Sequence, residues 1–147
     1  MKIWSRICQA LKRTPPTLPS GATAAERGVF GENRAAEYYR RQVGAHLLHR
    51  NWRYGRGEID LICRDGSTLV FVEVRARSFR SKVAGVHSVT PKKKKVLLKT
   101  CIGFIKQLPK RPKHIRFDIL DIVLLENGES EVRHYANVPL FPKHYLT

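Results

Sequence analysis

Apolar residues recur at three- and four-residue spacing in two parts of the chain, and this period predicts two amphipathic helices. The first helix is predicted over 23–43, with Thr23 opening a capping box. The second is predicted over 90–108, where Thr90 is a favourable N-cap and Pro91 a preferred first residue. Each helix carries an apolar stripe beside polar positions, so both are expected to bury one face.

Between and after the helices, short runs rich in Val, Ile, Leu and Phe predict five β-strands. Asp65-Gly66 predicts a tight hairpin between two of them, and Asn127-Gly128 predicts a second turn. The predicted strands cover residues 45–52, 58–64, 67–77, 115–126 and 131–136. With 78–89 as a loop, the order is α, β, β, β, α, β, β. A small mixed sheet flanked by helices buries all these faces, and the expected class is α/β.

The beginning of the chain differs from the rest in composition. Three prolines lie within 14–21 and prevent a helix or a sheet from continuing. We therefore expect residues 1–22 to form a flexible basic extension with a proline-rich linker, and residues 23–147 to form one domain. The basic segment 1–13 also fits a transit peptide or a helix on a membrane surface, and both alternatives stay open.

The charge balance predicts a polyanionic partner. The 147 residues include 28 Lys and Arg against 12 Asp and Glu, which gives a net charge of +16 and a pI near 10.4. Three widely spaced cysteines without a CxxC pair argue against a zinc site or a disulfide framework and favour a reducing compartment. No apolar run is long enough for a membrane span, so we expect a cytoplasmic protein with no membrane partner.

The positive charges are concentrated in one stretch. Residues 75–113 contain 13 Lys and Arg and no acidic residue, which favours contact with a phosphate backbone over a merely solvated face. Four consecutive lysines open the second helix, where anions are normally preferred, and a bound phosphate would offset that conflict. The candidate nucleic-acid-binding residues are Arg53, Arg56, Arg77, Lys92, Lys95 and Lys99.

Two acidic residues and one basic residue share a face of the predicted hairpin. A turn at 65–66 places Asp60 opposite Phe71, with Glu73 as its diagonal neighbour and Arg75 on the same face. Burying these charges in an apolar hairpin is costly unless they pair or bind a metal. Glu32 lies in the inward stripe of the first helix, so three carboxylates converge in a way that suits Mg²⁺ or Mn²⁺. A structural ion network is the alternative.

Several ordered motifs resemble the YraN family of small bacterial proteins. They are Gly31-Glu32-Asn33-Arg34-Ala35-Ala36, Arg50-Asn51-Trp52-Arg53, Gly57-Glu58-Ile59-Asp60-Leu61-Ile62, Phe71-Val72-Glu73-Val74-Arg75-Ala76-Arg77 and Arg116-Phe117-Asp118. The resemblance covers about residues 28–136. It implies membership of the PD-(D/E)XK nuclease superfamily near archaeal Holliday junction resolvases, and therefore a restriction-endonuclease-like core.

The resemblance also implies roles for individual residues. Asp60 and Glu73 would bind the metal, the backbone carbonyl of Val74 would be a further ligand, and Glu32 would match the helix glutamate of the resolvase-like branch. Arg75 stands where the motif usually has lysine. A guanidinium can hold a phosphate but does not readily lose a proton, so we expect electrostatic stabilisation from Arg75 rather than general-base catalysis.

These observations define three hypotheses. The first is a divalent-metal-dependent endonuclease that acts on DNA, with branched or junction DNA as a candidate substrate and a homodimer as the form that such a substrate implies. The second is a non-catalytic nucleic-acid-binding protein on a nuclease scaffold, motivated by the change from lysine to Arg75. The third is an RNA-binding or ribosome-associated protein, which the overall basicity alone favours. Asp118 is expected to anchor structure rather than metal.

Overall fold

The fold was analysed in a computed structural model that describes residues 16–83, 85–143 and 145. The predictions for residues 1–15, including a transit peptide or a membrane-surface helix, lie outside the described residues. No helix in the described part is long and apolar enough to cross a membrane.

Both predicted helices are present. Helix α1 spans Ala24–Tyr38, and Thr23 and Glu26 form the predicted capping box. A π-helical turn at Tyr39–Val43 follows it and ends at Gly44, which has a left-handed backbone with φ of 74°. Helix α2 spans Pro91–Gln107 and is capped by the Thr90 side chain. The loop before α2 contains a short 3₁₀ turn that the apolar pattern did not predict.

Five strands form one mixed sheet in the order β1-β2-β3-β4-β5. Their bounds are His46–Tyr54 for β1, Gly57–Asp65 for β2, Thr68–Ser78 for β3, His114–Leu124 for β4 and Ser130–Tyr135 for β5. Only β3 and β4 run parallel, and α2 connects them as a crossover helix. All five strands were predicted to within two residues at each end, and the α/β class with a mixed sheet is confirmed.

The hairpin register differs from the prediction. Gly66 and Ser67 form the turn, Asp65 pairs with Thr68, and Phe71 pairs with Ile62, so the predicted pairing of Asp60 with Phe71 is wrong. Gly66 has φ of 57°, and a glycine in the first central position suits a tight hairpin turn. The shift is two residues. Because side chains alternate with a period of two, a shift of two leaves Ile62 and Phe71 on one face and Leu61 and Val72 on the other. Ile59 lies on the same face as Ile62, so the alternation of β2 is interrupted between Ile59 and Leu61.

The helices cover opposite faces of the sheet. Buried residues on the α2 side include Ile62, Phe71, Leu97, Phe104, Phe117 and Ile119. Buried residues on the α1 side include Ala35, Tyr39, Leu61, Val72, Leu120 and Ile122. The interior strands are therefore apolar on both sides, as expected for a sheet between two helical layers.

Helix α1 approaches β3 closely at Gly31. A Cβ atom at this position would lie 2.8 Å from the Cβ of Ala76, which is too close for two carbon atoms. Glycine is therefore required if α1 is to rest directly on the strand. This close approach sets the position of the next residue, Glu32, relative to the end of the sheet that carries the candidate site.

Candidate active site

Strands β2 and β3 separate at one end of their pairing, and the candidate site lies at this fork. The last paired residues are Leu61 and Val72. Beyond them β2 stays paired with β1, and β3 stays paired with β4. Oδ2 of Asp60 accepts a hydrogen bond of 2.6 Å from the backbone N–H of Val74. The Asp60 side chain thus bridges the two strands where their backbone ladder ends.

Glu73 is the second carboxylate at the fork. Continuing the hairpin register by one pair brings it level with Asp60. Its side chain is 2% exposed, and its Oε1 atom is contacted by the ammonium group of Lys93 and lies 3.5 Å from Nη1 of Arg75. Two cations from different elements therefore compensate a carboxylate that is almost fully removed from water.

The pKa of Asp60 reflects this crowding. Burial and the neighbouring charge of Glu73 raise the pKa of Asp60 to about 7, and the charge of Glu32 adds a smaller effect in the same direction. The Val74 N–H and the Lys93 ammonium act in the opposite direction. A carboxyl group with such a pKa in a cleft is a marker of a functional site, because the fold maintains an unfavourable charge there.

Arg75 lies beside Glu73, and its side chain is only partly buried. Its Nε donates a hydrogen bond of 2.9 Å to Oγ of Ser88, in the 3₁₀ turn before α2, and its side chain is 33% exposed. The guanidinium is thus held near Glu73 while part of it faces solvent. In this position it can contact an anion at the mouth of the fork.

Glu32 reaches the same end of the sheet from α1. Its Oε2 atom accepts a hydrogen bond of 3.1 Å from Nδ2 of Asn51 and lies 3.8 Å from Nη2 of Arg50. Its charge acts on Asp60, which places the two carboxylates in electrostatic contact. Residues of β1 therefore hold Glu32 near the site, and its role as a metal ligand stays a prediction.

The donor set at the fork fits a hard divalent ion. Asp60 and Glu73 provide carboxylate oxygens, and the Val74 carbonyl faces the same side as the Val74 N–H, because both groups of an extended residue point in one direction. Within the described ranges, no group of three or more His, Cys, Asp or Glu side chains is arranged to hold a metal. The protein would therefore provide few ligands, which Mg²⁺ tolerates because it keeps several waters.

A basic groove leads to the fork from the start of α2. It has a volume of about 520 Å³, and Asp60 lines it together with Arg56, Lys92 and Lys93. Lys99 and Arg56 line a neighbouring cavity further along α2. Lys92, Lys95 and Lys99 are all exposed. Arg56, Lys92 and Lys99 thus line this groove or its neighbour, and Lys95 lies on the exposed surface of the same helix.

The other two predicted nucleic-acid-binding residues already have protein partners. Arg77 donates to both carboxylate oxygens of buried Asp121 at 2.8 Å, and its side chain is only 14% exposed. Nε of Arg53 donates to Glu58 at 2.7 Å while its side chain remains largely exposed. Arg77 is therefore held as a structural residue, whereas Arg53 can exchange its partner for a phosphate.

Lys93 was not among the residues predicted for the site. The helical period contains its signal: Lys93 lies four residues before Leu97 and eight before Cys101, both buried. It thus continues the apolar stripe of α2 towards the sheet, while Lys92 and Lys95 of the same lysine run are exposed. A charged residue on a buried stripe needs a partner, and Glu73 provides it.

Asp118 forms a separate buried network. Its oxygens accept hydrogen bonds from the Tyr39 hydroxyl at 2.6 Å, from the Asn137 N–H at 2.9 Å and from Nε of Arg116 at 2.9 Å, and Nε2 of His134 lies at 2.8 Å. Burial raises the pKa of Asp118, but these donors outweigh it and the pKa lies below its usual value. The network joins the π-helical turn after α1 to β4 and β5, so Asp118 is a structural anchor.

The fold and the fork define a class of protein. A mixed five-stranded sheet between two helices, with paired carboxylates on neighbouring strands, is consistent with a small resolvase-like core. The profile of "Uncharacterised protein family UPF0102" matches residues 31–122, and the chain belongs to this family. The resemblance to the YraN family is thereby confirmed.

Relatives in several bacteria carry the same family name. A UPF0102 protein of Syntrophomonas wolfei is 38% identical over 112 residues, which is 76% of this chain and 96% of the relative. A UPF0102 protein of Herminiimonas arsenicoxydans is 41% identical over 111 residues, covering 75% of this chain and 88% of the relative. These names describe a family without stating an activity.

Proposed function

We propose that this protein is a divalent-metal-dependent endonuclease that hydrolyses phosphodiester bonds in DNA. The observation that carries the proposal is the pair of carboxylates at the fork, where Asp60 lines a basic groove and the charge of neighbouring Glu73 acts on it. Acidic residues are scarce in this chain, with 12 against 28 basic ones. Two neighbouring carboxylates on a basic surface repel a phosphate backbone, so DNA binding alone does not explain them. A bound metal ion would offset their charge, and the pair therefore favours a metal site.

In this proposal, different residues bind the DNA, stabilise charge on the phosphate and hold the metal. Lys92, Lys95 and Lys99, together with Arg56, hold the phosphate backbone along α2. A guanidinium offers hydrogen-bond donors and no acceptor, so Arg75 stabilises negative charge on the phosphate rather than moving protons. Asp60 and Glu73 would hold Mg²⁺ or Mn²⁺ with the Val74 carbonyl, and the ion would supply Lewis acidity and an activated water. Glu32 would act on the site from α1 through its charge, because the three carboxylates are not grouped around one point among the described residues.

The proposal is tested by a cleavage panel with Mg²⁺ or Mn²⁺ on linear, nicked, flapped and four-way DNA. Wild-type protein is expected to cut at least one substrate, and Asp60→Asn is expected to abolish cutting. The asparagine oxygen can still accept from the Val74 N–H, so folding and DNA binding should remain intact. Cleavage that continues unchanged in Asp60→Asn would exclude this site, and competition between matched DNA and RNA tests the preference for DNA.

A non-catalytic nucleic-acid-binding protein is the second candidate, and one ion pair favours it. The Lys93 ammonium already compensates Glu73, so the buried carboxylate has a counter-charge without a metal. Under this alternative the protein binds DNA in a salt-dependent way but shows no turnover on any member of the panel. Calorimetric titration with Mn²⁺ separates the two, because only the nuclease requires a metal at the fork.

In this proposal, activity on four-way junction DNA implies that the protein forms a homodimer. A four-way junction presents two related strands for cutting, so activity on junctions would require two active sites and hence a homodimer. Sedimentation of the protein with and without a four-way junction measures this directly. Preferential cutting of junctions by a monomer would contradict the link while leaving the nuclease proposal intact.

A further inference from the structure

Asn51 has a backbone conformation that is unusual within a strand. Its φ is 49°, in the left-handed region, although it lies inside β1. Among the described residues, Asn137 is the only other non-glycine residue with a positive φ. Among residues with a Cβ atom, asparagine adopts the left-handed region most readily, but this conformation does not continue a strand. The surrounding structure therefore holds Asn51 in it, and such positions cluster at functional sites.

The position of Asn51 is directly beside the fork. Arg50 pairs with Leu61 and Trp52 pairs with Ile59, so the register of β1 with β2 brings Asn51 level with Asp60. The strained residue is thus the β1 neighbour of the carboxylate whose pKa is raised. The regular alternation of β1 side chains is interrupted at this point, because a positive φ redirects the side chain from its extended path.

The redirected side chain binds Glu32. Nδ2 of Asn51 donates to Oε2 of Glu32 at 3.1 Å, while Arg50 donates to Oδ1 of the next helix residue, Asn33, at 2.7 Å. The α1 carboxylate is therefore held from β1 by the Asn51 amide, at hydrogen-bond distance, while the Arg50 guanidinium lies further away at 3.8 Å. The short amide contact fixes the direction of the carboxylate, because an amide N–H donates along a defined line.

We propose that Asn51 is a positioning residue, which holds the Glu32 carboxylate in place beside Asp60. Its expected effect on DNA cleavage rests on the proposed nuclease function. The left-handed conformation of Asn51 is then maintained because it aims the amide at α1. In this assignment Asn51 does not contact the DNA, and it acts on the site through its hydrogen bond to Glu32.

The test compares Asn51→Gly with Asn137→Gly. Glycine adopts a positive φ without strain, so both substitutions relieve the same backbone conformation, and both add the same freedom to the unfolded chain. Asn137 contacts Asp118 through its backbone N–H, which glycine retains. Relief of the backbone conformation and added freedom of the unfolded chain act in opposite directions, so we expect both variants to melt close to the wild-type temperature. Cleavage is expected to fall at least tenfold in Asn51→Gly and to stay at the wild-type level in Asn137→Gly.

A second readout does not depend on cleavage. Side-chain scalar couplings of Glu32, measured by NMR in metal-free protein, report whether it occupies one rotamer. We expect one rotamer in the wild type and in Asn137→Gly, and averaging in Asn51→Gly and Asn51→Asp. Unchanged Glu32 couplings, or averaging without a fall in cleavage, would overturn the proposal. If the wild type cuts no DNA, the nuclease proposal fails, while the couplings still decide whether Asn51 positions Glu32.

Discussion

The ammonium group of Lys93 contacts the buried carboxylate of Glu73 across the gap between α2 and the sheet. Glu73 is 2% exposed, whereas the Lys93 side chain is 40% exposed, so the pair lies at the boundary between the core and the basic groove. A divalent ion at the fork would use the same carboxylate. Lys93 and the metal are therefore expected to compete for Glu73.

Replacing Lys93 tests this competition. In Lys93→Gln, Glu73 loses its nearest counter-charge, so the metal-free protein should lose about 1 kcal/mol of unfolding free energy, a modest value because Lys93 is partly exposed. Mn²⁺ no longer has to displace an ammonium group. Its affinity should rise on the order of tenfold, equivalent to about 1.4 kcal/mol. Calorimetry and thermal melts with and without Mn²⁺ measure both effects.

Lys106→Gln is the matched control for Lys93. It removes the same charge from the exposed C-terminal end of the same helix and should leave the stability and the Mn²⁺ affinity unchanged. Equal Mn²⁺ affinities in wild type and Lys93→Gln would show that the metal does not use Glu73.

The raised pKa of Asp60 predicts an unusual dependence of stability on pH. The native pKa of about 7 lies above the ordinary value near 4, so the folded protein holds more protons than the unfolded chain between these values. Stability in metal-free solution should therefore fall as the pH rises from about 4 to about 7 and then level off. Asp60→Asn removes this decline, and it should be more stable than wild type by on the order of 2 kcal/mol at pH 8.

Denaturant unfolding at pH 5 and pH 8 in the presence of a chelator checks the Asp60 prediction. The advantage of Asp60→Asn should be small at pH 5 and large at pH 8. Saturating Mn²⁺ should stabilise only the wild type, since the metal favours the ionised carboxylate. An advantage that is equal at both pH values would contradict a raised pKa at Asp60.

The lysines on α2 predict a specific salt dependence of DNA binding. Replacing Lys92, Lys95 and Lys99 with Gln should lower the slope of log affinity against log salt by about 0.9 for each phosphate that is no longer neutralised, or roughly 3 in total. The matched triple substitution of Lys106, Lys110 and Lys113 removes equal charge beyond the groove. Equal slopes in the two triple variants would mean that the DNA does not follow the start of α2.

Asp118 predicts a stability effect that is independent of the fork. Asp118→Asn leaves Arg116 and His134 without their buried carboxylate, and the unfolding free energy should fall by about 3 kcal/mol at neutral pH. The native pKa of Asp118 is depressed, so its stabilisation is present above the unfolded pKa near 4 and disappears as the pH falls through the native value. The acid limb of the stability curve should be shallower in the variant.

Asp65→Asn is the control for the Asp118 network. It removes the other carboxylate bound by Arg116, at 3.3 Å, but from a side chain that is 37% exposed. Its effect on the unfolding free energy should stay within about 1 kcal/mol. A destabilisation as large as that of Asp118→Asn would show that burial does not distinguish the two carboxylates.

The amino-acid sequence by itself determined the order of elements and the faces of the hairpin residues next to the turn. Helical periodicity, the capping box at Thr23 and the turn signal beside Gly66 are local properties, so they can be read from neighbouring residues. The common face of Ile62 and Phe71 followed in the same way. It is correct even though the register was wrong by two residues, because a shift of two preserves the alternation of a strand.

Only the tertiary structure decided which charges meet. Lys93 and Glu73 are 20 residues apart, Asn51 and Glu32 are 19 apart, and Tyr39 and Asp118 are 79 apart. Their pairing depends on how α1 and α2 are seated against the two faces of the sheet, and no local pattern specifies that placement. The same is true of Arg77, whose charge suggested a phosphate but whose guanidinium binds buried Asp121. A residue's charge is a property of the sequence, whereas its partner is a property of the packed fold.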